Sequence, residues 1–281
     1  MTRLKSLSRR SMIGLTLAAG LLAACSADVE MPAISSSGDY RPGQVVWRDL
    51  ITPDVAGASE FYGQLFGWDI RVAGDGYSLI LKDGIAIGGI ANSDATDDNY
   101  WLPLVSVNNV DGAVARATGN GATALLGPED LGARGRGALL RDPDGATFGV
   151  VRSATGDPAD LPEKPGFWGW SEVWSLDKTA VAPFYAMVTG TVPATRQIGG
   201  VSYLHMKSGD TPAFGLVDRP SEAVPATWVN YVHVADAAAT AARALELGGR
   251  VLAEPTDGPG GGTVAVIADK WGGGVILRQE K

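Results

Sequence analysis

The sequence predicts an α+β fold of four tandem βαβββ units, paired into two similar domains. Three observations carry this reading: an internal repeat, a regular order of extended and helical stretches, and a length of 281 residues that is 45% hydrophobic. That length exceeds one ordinary domain and suffices for a large core. The repeat begins at an offset of 123 residues, where Trp47, Asp49, Asp54, Phe61, Tyr62 and Gly67 recur as Trp170, Glu172, Asp177, Phe184, Tyr185 and Gly190. It drifts to 126, where Tyr77 and Gly89 meet Tyr203 and Gly215, then holds at 127. There Trp101, Val105, Arg116, Gly121, Asp142 and Gly145 meet Trp228, Val232, Arg243, Gly248, Asp269 and Gly272.

Each unit reads as strand, helix, three strands. Gln44 to Leu50 is extended, and Asp54 caps a helix whose apolar residues Val55, Ala58, Phe61, Tyr62 and Leu65 follow helical spacing up to the stop at Gly67. Tyr77 to Leu81 and Ile85 to Ile90 form a hairpin around Lys82-Asp83-Gly84. The second unit repeats the order with strand Trp101 to Val107, helix Val110 to Asn120, and final strands Ala138 to Arg141 and Thr147 to Val151. In the third unit Pro183 falls inside the helix that Asp177 caps, so a kink or a late start is expected there. Residues 44–152 thus form the first domain and 167–281 the second, joined by a linker over 153–166 that holds three prolines and two glycines.

The amino terminus reads as an address. Arg3, Lys5, Arg9 and Arg10 precede an apolar run from Ser11 to Ala24, the layout of a signal peptide over residues 1–24 and too short for a comfortable membrane span. Leu22-Ala23-Ala24-Cys25 resembles the bacterial lipoprotein processing box, which implies lipid attachment at Cys25, the sole cysteine. The alternative is a free buried thiol. Ser8-Arg9-Arg10-Ser11-Met12 is similar to a twin-arginine export motif. Residues 25–43, rich in Ser, Pro, Gly and Ala, read as a flexible stalk. The expected location is the cell envelope or periplasm, with membrane contact only through the lipid.

Composition narrows the chemistry. The formal charge is −8, and removal of residues 1–24 makes it −12, so phosphate backbones and anionic lipid are repelled and nucleic acid is not an expected partner. Two histidines and one cysteine exclude Cys-rich zinc sites, disulfide scaffolds and any three-histidine cage. No Gly-x-Ser-x-Gly elbow occurs, and the glycine-rich run at 258–262 reads as a hairpin loop rather than a phosphate cradle.

The segments Trp47-Arg48-Asp49-Leu50-Ile51-Thr52-Pro53-Asp54, Phe61-Tyr62, Leu65-Phe66-Gly67-Trp68, Gly135-Arg136 and Asp142-Pro143-Asp144-Gly145-Ala146 together resemble the vicinal oxygen chelate superfamily. That superfamily includes glyoxalase I, bleomycin-resistance proteins and extradiol dioxygenases. The resemblance runs from about Gln44 to Leu277 and is weaker in the second half. It implies two glyoxalase-like domains, each a pair of βαβββ units whose mixed sheet curls around a cup holding a metal or a ligand.

Metal enzymes of this superfamily draw His, Gln or Glu ligands from defined strand positions. The first-strand position maps to Trp47 and Trp170, the second-unit position to Leu102 and Val229, and the final glutamate to Gly149 and Ile276. None of these six carries a donor, so no divalent metal is expected and family-type Lewis-acid chemistry loses its basis. A relocated site built from His205 and His233 with Asp49 or Glu172 is the rival arrangement, that of a metal-dependent glyoxalase or dioxygenase. Alternatively the histidines are locally hydrogen-bonded strand residues.

Strand alternation sets Trp47 and Asp49 on one face, and Trp170, Glu172 and Trp174 on the equivalent face of the second half. A carboxylate beside an indole in a cup suits a small organic ligand that is cationic or donates hydrogen bonds. The plainer reading is that the tryptophans fill the cups, leaving an interaction module of the envelope. Arg134 and Arg136 either border such a pocket or extend from their loop into water.

Overall fold

A computed structural model describes residues 31–93 and 99–281. Residues 1–30, on which the expected signal peptide and the expected lipid attachment at Cys25 fall, lie outside the described residues. The chain forms β1 (Val45–Thr52), α1 (Val55–Phe66), β2 (Asp69–Gly74), β3 (Tyr77–Lys82), β4 (Ile85–Asn92), β5 (Tyr100–Ser106), α2 (Val110–Thr118), β6 (Thr123–Asp130), β7 (Gly135–Arg141) and β8 (Thr147–Ser153). The second half repeats it with β9 (Trp168–Ser175), α3 (Lys178–Thr189), β10 (Val192–Ile198), β11 (Val201–Ser208), β12 (Thr211–Asp218), β13 (Thr227–His233), α4 (Ala237–Glu246), β14 (Arg250–Asp257), β15 (Thr263–Ala268) and β16 (Gly274–Gln279).

Each half is one open eight-stranded mixed sheet, in the orders β2-β3-β4-β1-β5-β8-β7-β6 and β10-β11-β12-β9-β13-β16-β15-β14. The first strands of the two units pair antiparallel at the centre, so Asp49 lies opposite Leu102 and Glu172 opposite Val229. Local chemistry places the helices. Asp54 accepts from the Gly57 N–H at 2.8 Å, and Gly67 closes α1 in the left-handed region at φ 65°. The α3 helix starts at Lys178 without delay, because Asp177 accepts from both Thr179 and Ala180 N–H at the open end, and it continues through Pro183.

The helices form cores that cross the repeat. One buries the α1 residues Ala58 and Phe61 with Ala241 and Ala244 of α4. The other buries Ala113 and Val114 of α2 with Val181 and Phe184 of α3. The repeated tyrosines and aspartates join them. Tyr185 donates to Asp142 at 2.7 Å, while Tyr62 donates to the Gly273 carbonyl at 2.8 Å and lies 3.2 Å from Asp269. Each aspartate also accepts from three successive backbone N–H groups of its turn. The Phe-Tyr and Asp-x-x-Gly repeats are therefore structural.

Residues 31–43 depart from the flexible stalk expected of them. Gly38 and Gly43 N–H donate to Thr155 and Ser106 carbonyls at 3.0 and 2.7 Å, and Arg41 N–H donates to the buried Asp157 at 2.7 Å. Ile34 is fully packed beside Trp47 and Leu139. Polar composition misled here, because the apolar anchors Met31 and Ile34 are few but well placed. No helix among the described residues is long and apolar enough to cross a membrane.

Candidate functional site: two unequal cups

Both sheets carry the same core motif on their cup face. In the first, the Tyr77 hydroxyl and the Trp47 indole donate to Asp49 at 2.7 and 2.9 Å. In the second, Tyr203 donates to Glu172 at 2.6 Å and Trp170 donates to Tyr203 at 2.7 Å. The paired glycines explain themselves, since a Cβ on Gly89 or Gly215 would stand 1.8 or 1.9 Å from the tyrosine oxygen lying over it. The Tyr77/Tyr203 and Gly89/Gly215 pairs in the repeat held this signal, although neither tyrosine was among the site residues expected.

The first cup is filled from within. Arg134, expected in a loop, is buried, donating to Asp49 at 2.6 Å and to Tyr77 at 2.6 Å. Its guanidinium stacks 4.9 Å from the Tyr77 ring and 5.7 Å from the Trp47 ring. Burial alone would lower the Arg134 pKa, but Asp49 and Tyr77 outweigh it and raise it above the usual arginine value. Met31 and Ile34 pack over the same apolar surface as Leu102, Leu104 and Leu139. Trp47 and Asp49 are thus fully partnered inside the chain. Arg136 stays outside the cup, half-buried and paired with Asp111 at 2.6 Å; it lies in β7, whereas Arg134 belongs to the short 3-10 turn before that strand.

The second cup is built differently. Glu172 accepts from Tyr203, from Tyr231 at 2.8 Å and, at 3.4 Å, from the Trp174 indole. Burial and the nearby carboxylate raise the pKa of both tyrosines, keeping them as donors. No lysine or arginine among the described residues forms an ion pair with Glu172. The offset of 127 sets Gly261 against Arg134, which removes the guanidinium. Arg196, exposed, stacks 5.6 Å from Trp170 and 5.2 Å from Tyr203. Trp170 and Trp174 are half-buried, in contrast to Trp47.

The histidines separate. His205 is 5% exposed, stacks against Tyr203 in the second cup, and its Nδ1 has no hydrogen-bond partner. Burial, then Arg196, hold its pKa below the usual 6.5. His233 lies elsewhere, lining a crevice between the halves with Nδ1 3.9 Å from Glu280. No three His, Cys, Asp or Glu residues among the described ones gather where a metal could be held. Gly149 is sealed as well, since a Cβ there would stand 2.3 Å from Leu104. The six positions mapped from the resemblance carry Trp47, Trp170, Leu102, Val229, Gly149 and Ile276, side chains without a carboxylate, imidazole or amide group.

A glyoxalase-like domain model matches residues 44–151 and 174–276. The chain is 34% identical over 244 residues to the putative glyoxylase CFP32 of Mycobacterium tuberculosis, covering 83% of this chain and 94% of that protein. It is 32% identical over 242 residues to the anthracycline biosynthesis protein DnrV of Streptomyces peucetius, covering 79% and 88%. In fold it is similar to a Mn(II)-bound glyoxalase from Novosphingobium aromaticivorans, with TM-score 0.59, 16% identity and 85% and 83% coverage. A 2,3-dioxygenase, LapB, from a Pseudomonas species gives TM-score 0.55, 13% identity and 88% and 94% coverage. With two such domains in tandem, the chain belongs to the glyoxalase-like family of the vicinal oxygen chelate superfamily.

Proposed function

We propose that this protein binds a small organic cation in its second cup, without family-type metal chemistry, while exported and held to the envelope by a lipid on Cys25. The observation that carries the ligand class is a comparison within the chain. Asp49 and Tyr77 hold the guanidinium of Arg134 through an ion pair and a hydrogen bond, whereas Glu172, the same motif one repeat later, has no ion-pair partner among the described residues, and the exposed Arg196 only stacks on Tyr203 and Trp170. A ligand with an ammonium or amidinium group and an aromatic body meets the same partners, a carboxylate, a phenol and an indole face. The orphaned Nδ1 of buried His205 supplies one further polar contact. An aromatic-lined cup is in keeping with relatives named for anthracycline biosynthesis. The metal-free reading is supported by Trp, Leu, Val, Ile and Gly at the six mapped positions, none of which donates to a divalent ion.

Thermal shift with benzamidine and tryptamine, with benzoate as control, tests the ligand class. The two cations are expected to raise Tm saturably in the wild type and not in Glu172→Gln, since a ligand stabilises only the state it binds. Equal shifts from benzoate, or shifts that survive Glu172→Gln, overturn it. Protein purified without chelator is expected to carry no stoichiometric iron, manganese, nickel or zinc. Cys25→Ser is expected to release the protein from the membrane fraction and abolish incorporation of labelled palmitate.

A further inference from the structure

Between the two halves lies a crevice of about 200 Å³, with Arg48, Trp168 and Ser171 in its walls together with the cup residues Trp47 and Trp170. Arg48 is 7% exposed and stacks 5.4 Å from the Trp168 ring. Its Nε donates to Asn230 Oδ1 at 3.1 Å and its Nη2 to Ser171 Oγ at 2.9 Å. Both partners are neutral. Among the described residues no carboxylate stands within ion-pair distance of Arg48, and Nη1 has no partner at all. Arg134, the other buried arginine, has its carboxylate at 2.6 Å.

A buried guanidinium without an anion is costly, and proteins ordinarily pair it. Here the neighbours fix its orientation without neutralising it. Two of five N–H donors are used, which leaves the Nη1 side of the planar fork free for the two oxygens of one oxyanion. Asn230 adds to the polarity, since Oδ1 accepts from both Arg48 and Ser171 while its buried Nδ2 has no partner. The remaining ionisable groups on the crevice are Arg41, already paired with Asp160, together with Glu163 and His233. The arrangement arises from the repeat itself, because Arg48 and Ser171 occupy equivalent positions 123 residues apart and meet where the two halves join.

We infer that the crevice is a binding site for a small oxyanion, a carboxylate or phosphate group seated on Arg48 between the two halves. Burial draws the Arg48 pKa down to about 9, and a bound anion would restore it.

The test titrates the full-length protein with sodium phosphate and, separately, sodium succinate, against sodium chloride at matched ionic strength. Tryptophan fluorescence, to which Trp168 contributes, and Tm are the readouts. A saturable response in the millimolar range to either oxyanion, weakened about tenfold or more in Arg48→Met and unchanged in Glu172→Gln, supports the site. A response to phosphate alone or succinate alone identifies the group. No saturable response to either, or an equal response in Arg48→Met, overturns it. Should Arg48→Met fail to fold, crystals of the unmodified protein grown with phosphate decide: an anion on Nη1 supports the inference, and a crevice holding only water overturns it.

Discussion

Arg134 and Asp49 have side chains 1% and 4% exposed, so neither charge reaches water and each depends on the other. Arg134→Met leaves the carboxylate buried with only a phenol and an indole, and is expected to cost about 3–5 kcal/mol in denaturant unfolding. The double variant Asp49→Leu, Arg134→Met removes both charges and should recover much of that loss, which a mutant cycle measures. His205 makes a prediction in pH. Its folded-state pKa lies below 6.5, so the unfolded chain binds the proton more readily. Stability from this group is therefore complete above pH 6.5 and declines as pH falls from there through the folded value. The urea midpoint of the wild type should drop between pH 7.5 and 5.5, and the drop should shrink in His205→Gln.

The segment from Met31 to Gly43 acts as a strap over the first cup, although a stretch rich in Ser, Pro and Gly suggests a spacer. Ile34 is 4% exposed, so Ile34→Ala is expected to cost about 2–5 kcal/mol, and deletion through Ser36 should open apolar surface that binds a hydrophobic dye. An unchanged melting curve in both would show that the strap contributes nothing. The central strands and helices were legible because burial writes periodicity into them: Val55, Ala58, Phe61 and Tyr62 mark α1, and Asp54 and Gly67 bound it within a residue. The outer strands β2 and β10 were not. They are edges, exposed along most of their length and carrying Asp69, Arg71 and Arg196, so no apolar alternation betrays them. The site was half legible. Strand alternation finds Trp170, Glu172 and Trp174, but Arg134 reaches Asp49 from a loop 85 residues away, and no local pattern encodes that meeting.

The repeat suggests two bodies joined by a linker, yet the cores join the first unit to the fourth and the second to the third. Each half alone would expose one side of both cores, including Phe61, Tyr62, Phe184 and Tyr185. The polar ties cross in the same sense, Tyr62 to the turn of Asp269 and Tyr185 to Asp142. Tyr185→Phe leaves one lone-pair site of buried Asp142 unfilled and should cost about 1–3 kcal/mol. Because both cores span both halves, unfolding either half removes the apolar cover of the other, and the protein should melt in one cooperative transition. A fragment of residues 31–157 is accordingly expected to show no cooperative thermal transition by circular dichroism and to bind a hydrophobic dye. Mixing it with the fragment 158–281 should restore both cups. A sharp transition in either fragment alone would mean that each sheet holds its own core, and that the crossed packing of helices is incidental to stability.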